Sequence, residues 1–346
     1  YRGQCQKYKS SSTLAPLLIS LALRQKEYCI MSRIKMLTSL SELGAGTRGA
    51  SMGFEALKVA AFNAESKFFT RHPIETIPTL NERLFDEINT PNGKRIIPIA
   101  EMYDRISEKV AGVLLNNEFP LIIGADHSVA GGTIAGIKKA YPNERLGVVW
   151  IDAHADLHSP YTTPSGNVHG MPLATAISEN NEDCQINEIK GETLEAWKKM
   201  KGPSQRIRTE DLIFVAVRDT EEPEDHIIKK YGIKNFRVGE VHNKGGRPIA
   251  REIMDQLRDC DRIYVSFDVD SLDATISKGT GTPVHNGLWE SEVADLLTEL
   301  ATNGKVCCIE FVEINPCLDT KGNVMADTAL QLLEQTAEVI EKRIKL

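Results

Sequence analysis

Five short apolar segments recur along the chain and separate longer segments of mixed polarity. Most of these apolar segments show no polar residue at alternate positions, which is typical of strands buried on two faces in a parallel sheet. The predicted strands are residues 120–124, 146–151, 211–217, 262–267 and 305–312.

Between the predicted strands, apolar residues recur every three or four positions, which predicts amphipathic helices. The predicted helices are residues 101–117, 128–141, 249–259, 291–303 and 328–345. Strands that alternate with helices indicate βαβ units. We therefore predict an α/β fold of three layers, αβα, with an open, mostly parallel central sheet. Long functional loops are predicted at residues 157–170, 180–209 and 271–290.

The N-terminal segment has a different composition from the rest of the chain. Residues 1–26 contain five basic residues and no acid, together with the apolar run LAPLLISLAL. This composition is typical of a transit peptide or a weak signal peptide. The alternative, which we favour, is a leader sequence that does not belong to the folded domain. We expect residues 1–30 to be a disordered leader or presequence, and residues 31–346 to form a single folded domain. The expected location is the cytoplasm, or the mitochondrion if residues 1–30 are a genuine presequence.

Charge and composition exclude several classes of protein. The net charge of −7 and the absence of a Lys/Arg block argue against a nucleic-acid partner. No apolar run approaches the roughly 20 residues that span a bilayer, so no membrane partner is expected. The seven cysteines include no C-x-x-C pair, which indicates reduced thiols rather than a disulfide framework.

Polar residues with metal-binding chemistry follow four of the predicted strands. Side chains alternate in an extended chain, so the acids and the imidazole of DAHAD can point to one side. In an open α/β sheet, ligands bind at the carboxyl ends of the strands, where these residues would converge. The residues concerned are His127; Asp152, His154 and Asp156; Asp268 and Asp270; and Glu313.

Four carboxylates in one small volume raise each other's pKa and destabilise the fold unless cations neutralise them. Two divalent cations would match that charge. A donor set of oxygens and imidazoles without thiolate favours manganese, with iron, cobalt or nickel as alternatives. Each motif alone is weak evidence, because aspartate often closes the turn after a strand. The combination at several strand ends favours a metal pair.

The motifs GADHS, DAHADLHSPYTTPSGNVHG, SFDVDSLDATISKGTGTPV and VEINP resemble those of arginases, within the ureohydrolase family. The resemblance covers roughly residues 36–340 and implies an arginase-like fold with two Mn²⁺ per subunit. It implies that one ion is bound by His127, Asp152, Asp156 and Asp268, and the other by His154, Asp152, Asp268 and Asp270.

The resemblance also implies an activity, which is hydrolysis of L-arginine to L-ornithine and urea by a metal-bridging hydroxide. Asp156 would accept a hydrogen bond from the nucleophile, His169 would transfer protons, and Glu313 would bind the guanidinium group. Such an enzyme would serve arginine metabolism and the urea cycle.

The loops would set the choice of substrate. The resemblance implies that Ser165 and Asn167, helped by Thr163, bind the α-carboxylate. Glu221 would bind the α-amino group, although arginases usually have Asp there. His158 stands where arginases commonly have Asn, and Thr282 is retained within a KGTGTPV segment that departs from the usual PATGTPV.

Three alternatives stay open at this stage. An agmatinase or other guanidino ureohydrolase is disfavoured because a substrate without a carboxylate does not need the SGNVHG loop. A single-zinc deacetylase is disfavoured by the two acids of DVD, and a non-catalytic scaffold by the complete ligand set. The family resemblance also implies a homo-oligomer, either a trimer or a hexamer.

Overall fold

One eight-stranded sheet forms the centre of the computed structural model, which describes residues 31–345. The strands lie in the order β2-β1-β3-β8-β7-β4-β5-β6, and every neighbouring pair is parallel. Their bounds are β1 Ile34–Ser39, β2 Ile74–Thr76, β3 Phe119–Gly124, β4 Leu146–Ile151, β5 Leu212–Val215, β6 Lys234–Phe236, β7 Arg262–Asp268 and β8 Val306–Val312.

Helices connect the strands and cover the two faces of the sheet. In chain order they are α1 Gly53–Asn63, α2 Phe68–Arg71, α3 Ile96–Leu115, α4 Val129–Ala140, α5 Pro172–Ile177, α6 Gly191–Lys201, α7 Glu222–Tyr231, α8 Val238–Lys244, α9 Gly246–Gln256, α10 Glu290–Ala301 and α11 Val324–Lys345. Within residues 31–345, no helix is both long enough and apolar enough to cross a bilayer.

The sheet separates two hydrophobic cores, which explains why its strands carry so few polar residues. Val149 and Ile151 of β4 pack into a core with α1, α9, α10 and α11. Val148 and Trp150 of the same strand pack into a second core with α3, α4, α5 and α6. Because apolar neighbours cover the two faces of each central strand, an uninterrupted apolar run is the expected sequence. The predicted three-layer α/β fold is confirmed.

The five predicted strands and five predicted helices are all present, with ends displaced by at most five residues. The prediction of a loop across residues 180–209 was wrong, because α6 lies within it. That helix buries only Thr193, Ala196, Trp197 and Met200, so its apolar signal is weak. Strands β1, β2 and β6 were not predicted. The expectation for residues 1–30 lies outside the described residues.

Candidate active site

The strand order places four metal-binding segments side by side. β3, β8, β7 and β4 are consecutive in the sheet and parallel, so their carboxyl ends lie at one edge. The residues that follow or end these strands are His127 after β3, Glu313 after β8, Asp268 and Asp270 at β7, and Asp152, His154 and Asp156 after β4.

A first group of ligands surrounds the His127 ring. Its Nδ1 lies 3.0 Å from Asp152 Oδ2, 3.1 Å from Asp268 Oδ2 and 3.3 Å from Asp156 Oδ2. The ring is stacked on Trp150, with centroids 4.0 Å apart, and its Nε2 lies 2.8 Å from Ser266 Oγ. These contacts hold the ring with Nδ1 directed at the three carboxylates.

A second group is centred on His154. Its Nδ1 lies 3.1 Å from Asp270 Oδ2 and 3.5 Å from Asp152 Oδ1. Asp270 Oδ1 accepts a hydrogen bond from the backbone N–H of Ala153, 3.2 Å away. Asp152 therefore presents one carboxylate oxygen to each group, which is the arrangement that a carboxylate bridging two ions requires.

The chemistry of these groups fits divalent cations. His127 Nδ1 and Asp152 Oδ2 are buried, and neither has a hydrogen-bond partner of acceptable geometry. Burial, together with the neighbouring Asp152 carboxylate, raises the pKa of Asp156, Asp268 and Asp270. Ionised carboxylates so close together are costly without a compensating positive charge, which is what a pair of cations supplies.

Two site residues have a left-handed backbone conformation, which residues other than glycine rarely adopt. The φ angles of Asp156 and Glu313 are +51° and +65°. Glu313 Oε1 accepts a hydrogen bond from the backbone N–H of His127, 2.9 Å away, and lies 3.7 Å from His169 Nδ1. Strain of this kind is concentrated at functional sites, where surrounding contacts maintain it.

His169 lines the cavity and is partly buried. Burial alone would lower the pKa of its imidazole, but the nearby Glu313 carboxylate outweighs that effect and raises the pKa. The raised pKa favours the protonated ring, as expected of a group that donates a proton.

One cavity of about 270 Å³ contains every residue predicted for the site. The predicted metal ligands form its floor, and the residues predicted to bind substrate line its wall and rim. The latter are His158, Thr163, Ser165, Asn167, Glu221 and Thr282, and His169 and Glu313 also line the cavity.

The loop at residues 157–170 is held by its own turns and by a neighbouring segment. Gly166 has a φ of +75°, and a Cβ there would lie 1.9 Å from Pro91 O, so only glycine fits. Its N–H donates to Thr163 Oγ1, and Asn167 N–H donates to Ser165 Oγ. The loop thus presents several polar groups to the cavity without a regular helix or strand.

His158 lines the cavity beside two acids, Glu221 and Glu224. His158 Nδ1 lies 3.1 Å from Thr162 Oγ1, while its Nε2 is buried, lacks a hydrogen-bond partner, and lies 3.5 Å from Glu221 Oε2. Glu224 was missed by the sequence reasoning, although it lines the cavity and its Oε2 lies 3.8 Å from the same nitrogen. Its signal is the spacing of Glu221 and Glu224 around Pro223, which forms a capping box at the start of α7.

Thr282 has a partner within the site. Its Oγ1 donates to Asp270 Oδ2 over 3.1 Å. Thr282 therefore contacts a predicted metal ligand as well as the cavity. Asp219 and Thr220 also line the cavity without having been predicted.

Comparison with known proteins identifies the family. The arginase family profile matches residues 38–337. The arginase of Bacillus subtilis (strain 168) is 34% identical over 295 residues, which cover 85% of this chain and 93% of that protein. Among solved structures, arginase from Bacillus caldovelox has a TM-score of 0.76 and 32% identity, covering 89% of this chain and 98% of that one. Entamoeba histolytica arginase in complex with L-ornithine has a TM-score of 0.75 and 26% identity, with coverage of 88% and 98%.

The fold and these matches define a ureohydrolase, a hydrolase that acts on C–N bonds of amidines. The chain belongs to the arginase family, which is metal-dependent, and the predicted family is confirmed.

Proposed function

We propose that the protein is a binuclear manganese enzyme that hydrolyses L-arginine to L-ornithine and urea. One observation carries the proposal. The two ligand groups, Glu313 and the polar SGNVHG loop, which includes His169, line the same small cavity. A guanidinium group at the floor and an amino-acid end at the rim would use these two regions together.

The two groups of side chains support the ligand sets that the family resemblance implies. His127, Asp152, Asp156 and Asp268 would bind one ion, and His154, Asp152, Asp268 and Asp270 the other. Donors that are carboxylate oxygen and imidazole nitrogen suit Mn²⁺ better than a structural zinc site. When bound, such ions offset the carboxylate charge and lower the pKa of water, so that a nucleophile is available near neutral pH.

The chain's own residues would orient the substrate. The Glu313 carboxylate is placed to accept charge-assisted hydrogen bonds from guanidinium N–H groups. Ser165, Asn167 and Thr163 would donate to the α-carboxylate, aided by the free Nε2 of His158. Glu221, at the same rim, would accept from the α-amino group, and Thr282 would support the guanidinium end beside Asp270.

Hydrolysis requires one C–O bond to form at the guanidinium carbon and the C–N bond to the ornithine side chain to break. Asp156 would accept a hydrogen bond from the attacking water and take up its proton. The leaving nitrogen must gain a proton, and His169, 3.7 Å from Glu313, would supply it. The proton on Asp156 would then restore that of His169, and the second water proton, released as the C=O bond of urea forms, would complete the ornithine ammonium group. Urea and L-ornithine result.

We also propose that residues 31–346 act as one catalytic domain, since one sheet supplies every ligand segment. The family resemblance supports a homo-oligomer, trimer or hexamer, in the cytoplasm, or in the mitochondrion if residues 1–30 are a presequence. The net charge of −7 supports a small-molecule substrate without a nucleic-acid partner.

The decisive experiment measures urea release from protein stripped with a chelator and then reloaded with Mn²⁺, with metal content determined on the same sample. We expect two ions per subunit and urea from L-arginine only after reloading. Agmatine, which lacks the carboxylate, should be turned over much more slowly. Faster turnover of agmatine would reassign the substrate, and urea release from fully stripped protein would contradict the metal-dependent mechanism.

A further inference from the structure

Arg218 follows β5 and directs its guanidinium group at backbone carbonyls rather than at a carboxylate. Its Nη2 donates to Asp270 O over 3.0 Å, to Leu272 O over 3.2 Å and to Val284 O over 2.9 Å. Its other nitrogens donate to the carbonyls of Ala216, Ser271 and His285 over 3.1–3.3 Å.

Six carbonyl oxygens therefore share the five N–H groups of one guanidinium. They belong to three segments, which are the end of β5, residues 270–272 after β7, and residues 284–285. Carbonyl dipoles that converge on one point repel each other unless a cation lies between them. The planar fork of arginine can reach acceptors in several directions at once, whereas a lysine ammonium places three donors at a single point.

The backbone of the same residue contacts the other ligand segment. Arg218 N–H and Asp219 N–H donate to Ala153 O over 2.8 and 3.0 Å. Ala153 lies between Asp152 and His154, and its own N–H donates to Asp270 Oδ1. Arg218, Ala153 and Asp270 thus form a closed ring of hydrogen bonds that joins the ends of β4, β5 and β7.

We infer that Arg218 is a positioning residue that fixes the spacing between His154 and Asp270. Asp270 is linked to the ring by its backbone carbonyl and its carboxylate, and the Thr282 hydroxyl binds its second carboxylate oxygen. Among the described residues, the guanidinium group forms no hydrogen bond with the side chains of His127, Asp156 or Asp268, and Asp152 acts on it only through its charge. The metal-binding consequence rests on the proposed function, but the fixing of the loops does not.

The chain contains a matched control far from the cavity. Arg343, in α11, also donates to three backbone carbonyls, those of Ala301, Asn303 and Val306. Replacing it by lysine removes the same kind of contact at a place remote from the ligands. Comparison of Arg218→Lys with Arg343→Lys therefore separates positioning of the site from general loss of stability.

The first measurement is hydrogen–deuterium exchange of the metal-free full-length chain. In Arg218→Lys we expect faster exchange in the segments 269–273 and 283–287, which Arg343→Lys should leave unchanged. Unchanged exchange in Arg218→Lys would overturn the inference, whatever the metal content. Arg218→Gln, which retains two side-chain donors, serves as the second variant if the lysine variant does not fold.

The second measurement is the binding of Mn²⁺ by equilibrium titration. Loss of a residue that orients a metal ligand typically weakens binding by about 10- to 100-fold. We expect Arg218→Lys to lower the affinity for one of the two ions by that factor and to leave the affinity for the other unchanged. If the variant bound each ion as tightly as the parent, or if its affinity for the two ions fell by the same factor, the assignment to the His154–Asp270 pair would be overturned. A parent protein that binds no Mn²⁺ contradicts the proposed function instead, and the exchange measurement still decides the role of Arg218.

Discussion

The floor and the rim of the cavity are built in different ways. The floor consists of the six predicted metal ligands at the ends of parallel strands, which are His127, Asp152, His154, Asp156, Asp268 and Asp270. It contains buried polar atoms without hydrogen-bond partners. The rim consists of the loop at residues 157–170 and the start of α7, where several polar groups already bind within their own turns.

This difference separates reaction type from substrate choice. The sheet fixes the floor, and every floor residue matches the arginase motifs. Two departures from those motifs, His158 and Glu221, lie on the rim, and a third is the KGTGTPV segment that contains Thr282. A loop or helix start can change without disturbing the strands. We therefore expect changes at the floor to abolish hydrolysis and changes at the rim to alter affinity.

The largest effect is expected for Asp270→Asn, which weakens the ligand set of His154. Loss of a side chain that hydrogen-bonds a metal ligand typically lowers metal affinity or activity by about 10- to 100-fold. Loss of a ligand itself should lower activity further and bring urea release close to background. The measurement is urea release from L-arginine in saturating Mn²⁺.

Asp273→Asn is the matched control for that change. Asp273 lies in the same segment and is buried, but its carboxylate binds Thr275 and the N–H of Gly287 rather than the cavity. The folded control should retain most of its turnover. Equal losses in the two variants would mean that the segment is merely sensitive to substitution.

A smaller effect is expected for Asn167→Ala at the rim. A hydrogen bond to a charged group contributes about 1.5–3 kcal/mol, which corresponds to roughly a 10- to 100-fold rise in KM for L-arginine. Because the floor is unchanged, kcat should change little. Steady-state kinetics measure the two constants, and a fall in kcat at constant KM would contradict a role for Asn167 in carboxylate binding.

The floor could be predicted from the sequence because its residues directly follow recognisable apolar strands. Asp152, His154 and Asp156 occupy alternate positions, and Asp268 and Asp270 do the same, so local spacing alone indicates a shared direction. The adjacency of β4 and β7 was only assumed, since strand order depends on pairing between distant segments.

Glu224 and Arg218 could not be predicted in the same way. Glu224 reaches the cavity through a helix start, and its carboxylate accepts from Leu157 N–H, 67 positions earlier in the chain. Five of the six carbonyls that the Arg218 guanidinium group binds lie 52 to 67 residues further along. Helix α6 was missed because it buries few apolar side chains. The capping-box spacing of Glu221 and Glu224 indicates a helix start, but it does not indicate which distant segment the side chains contact.

The smallest effect concerns the pH dependence of stability at the rim. Burial raises the pKa of Glu224 from 4.5 to about 7. A carboxyl group with a raised pKa in the folded state stabilises the fold fully below its unfolded pKa, and this contribution is lost as the pH rises through the folded value. Between pH 5 and pH 8, the free energy of unfolding of the metal-free parent protein should therefore fall by about 1–3 kcal/mol more than that of Glu224→Gln.

Denaturation by urea at several pH values measures this difference. The slope with pH is the informative quantity, because glutamine also replaces one of two carboxylate acceptors and so shifts the absolute stability. Identical slopes in the two proteins would show that Glu224 ionises normally.

The most direct test of the central claim, that cations compensate the acids of the floor, uses Asp268→Asn. The amide keeps an oxygen that can accept from Asp270 N–H but removes the charge. Urea denaturation of parent and variant at pH 7, metal-free and loaded with Mn²⁺, gives four free energies of unfolding. We expect the variant to be more stable than the parent by about 1–3 kcal/mol without metal and less stable with it. A variant that is less stable than the parent by the same amount with and without Mn²⁺ would contradict the account.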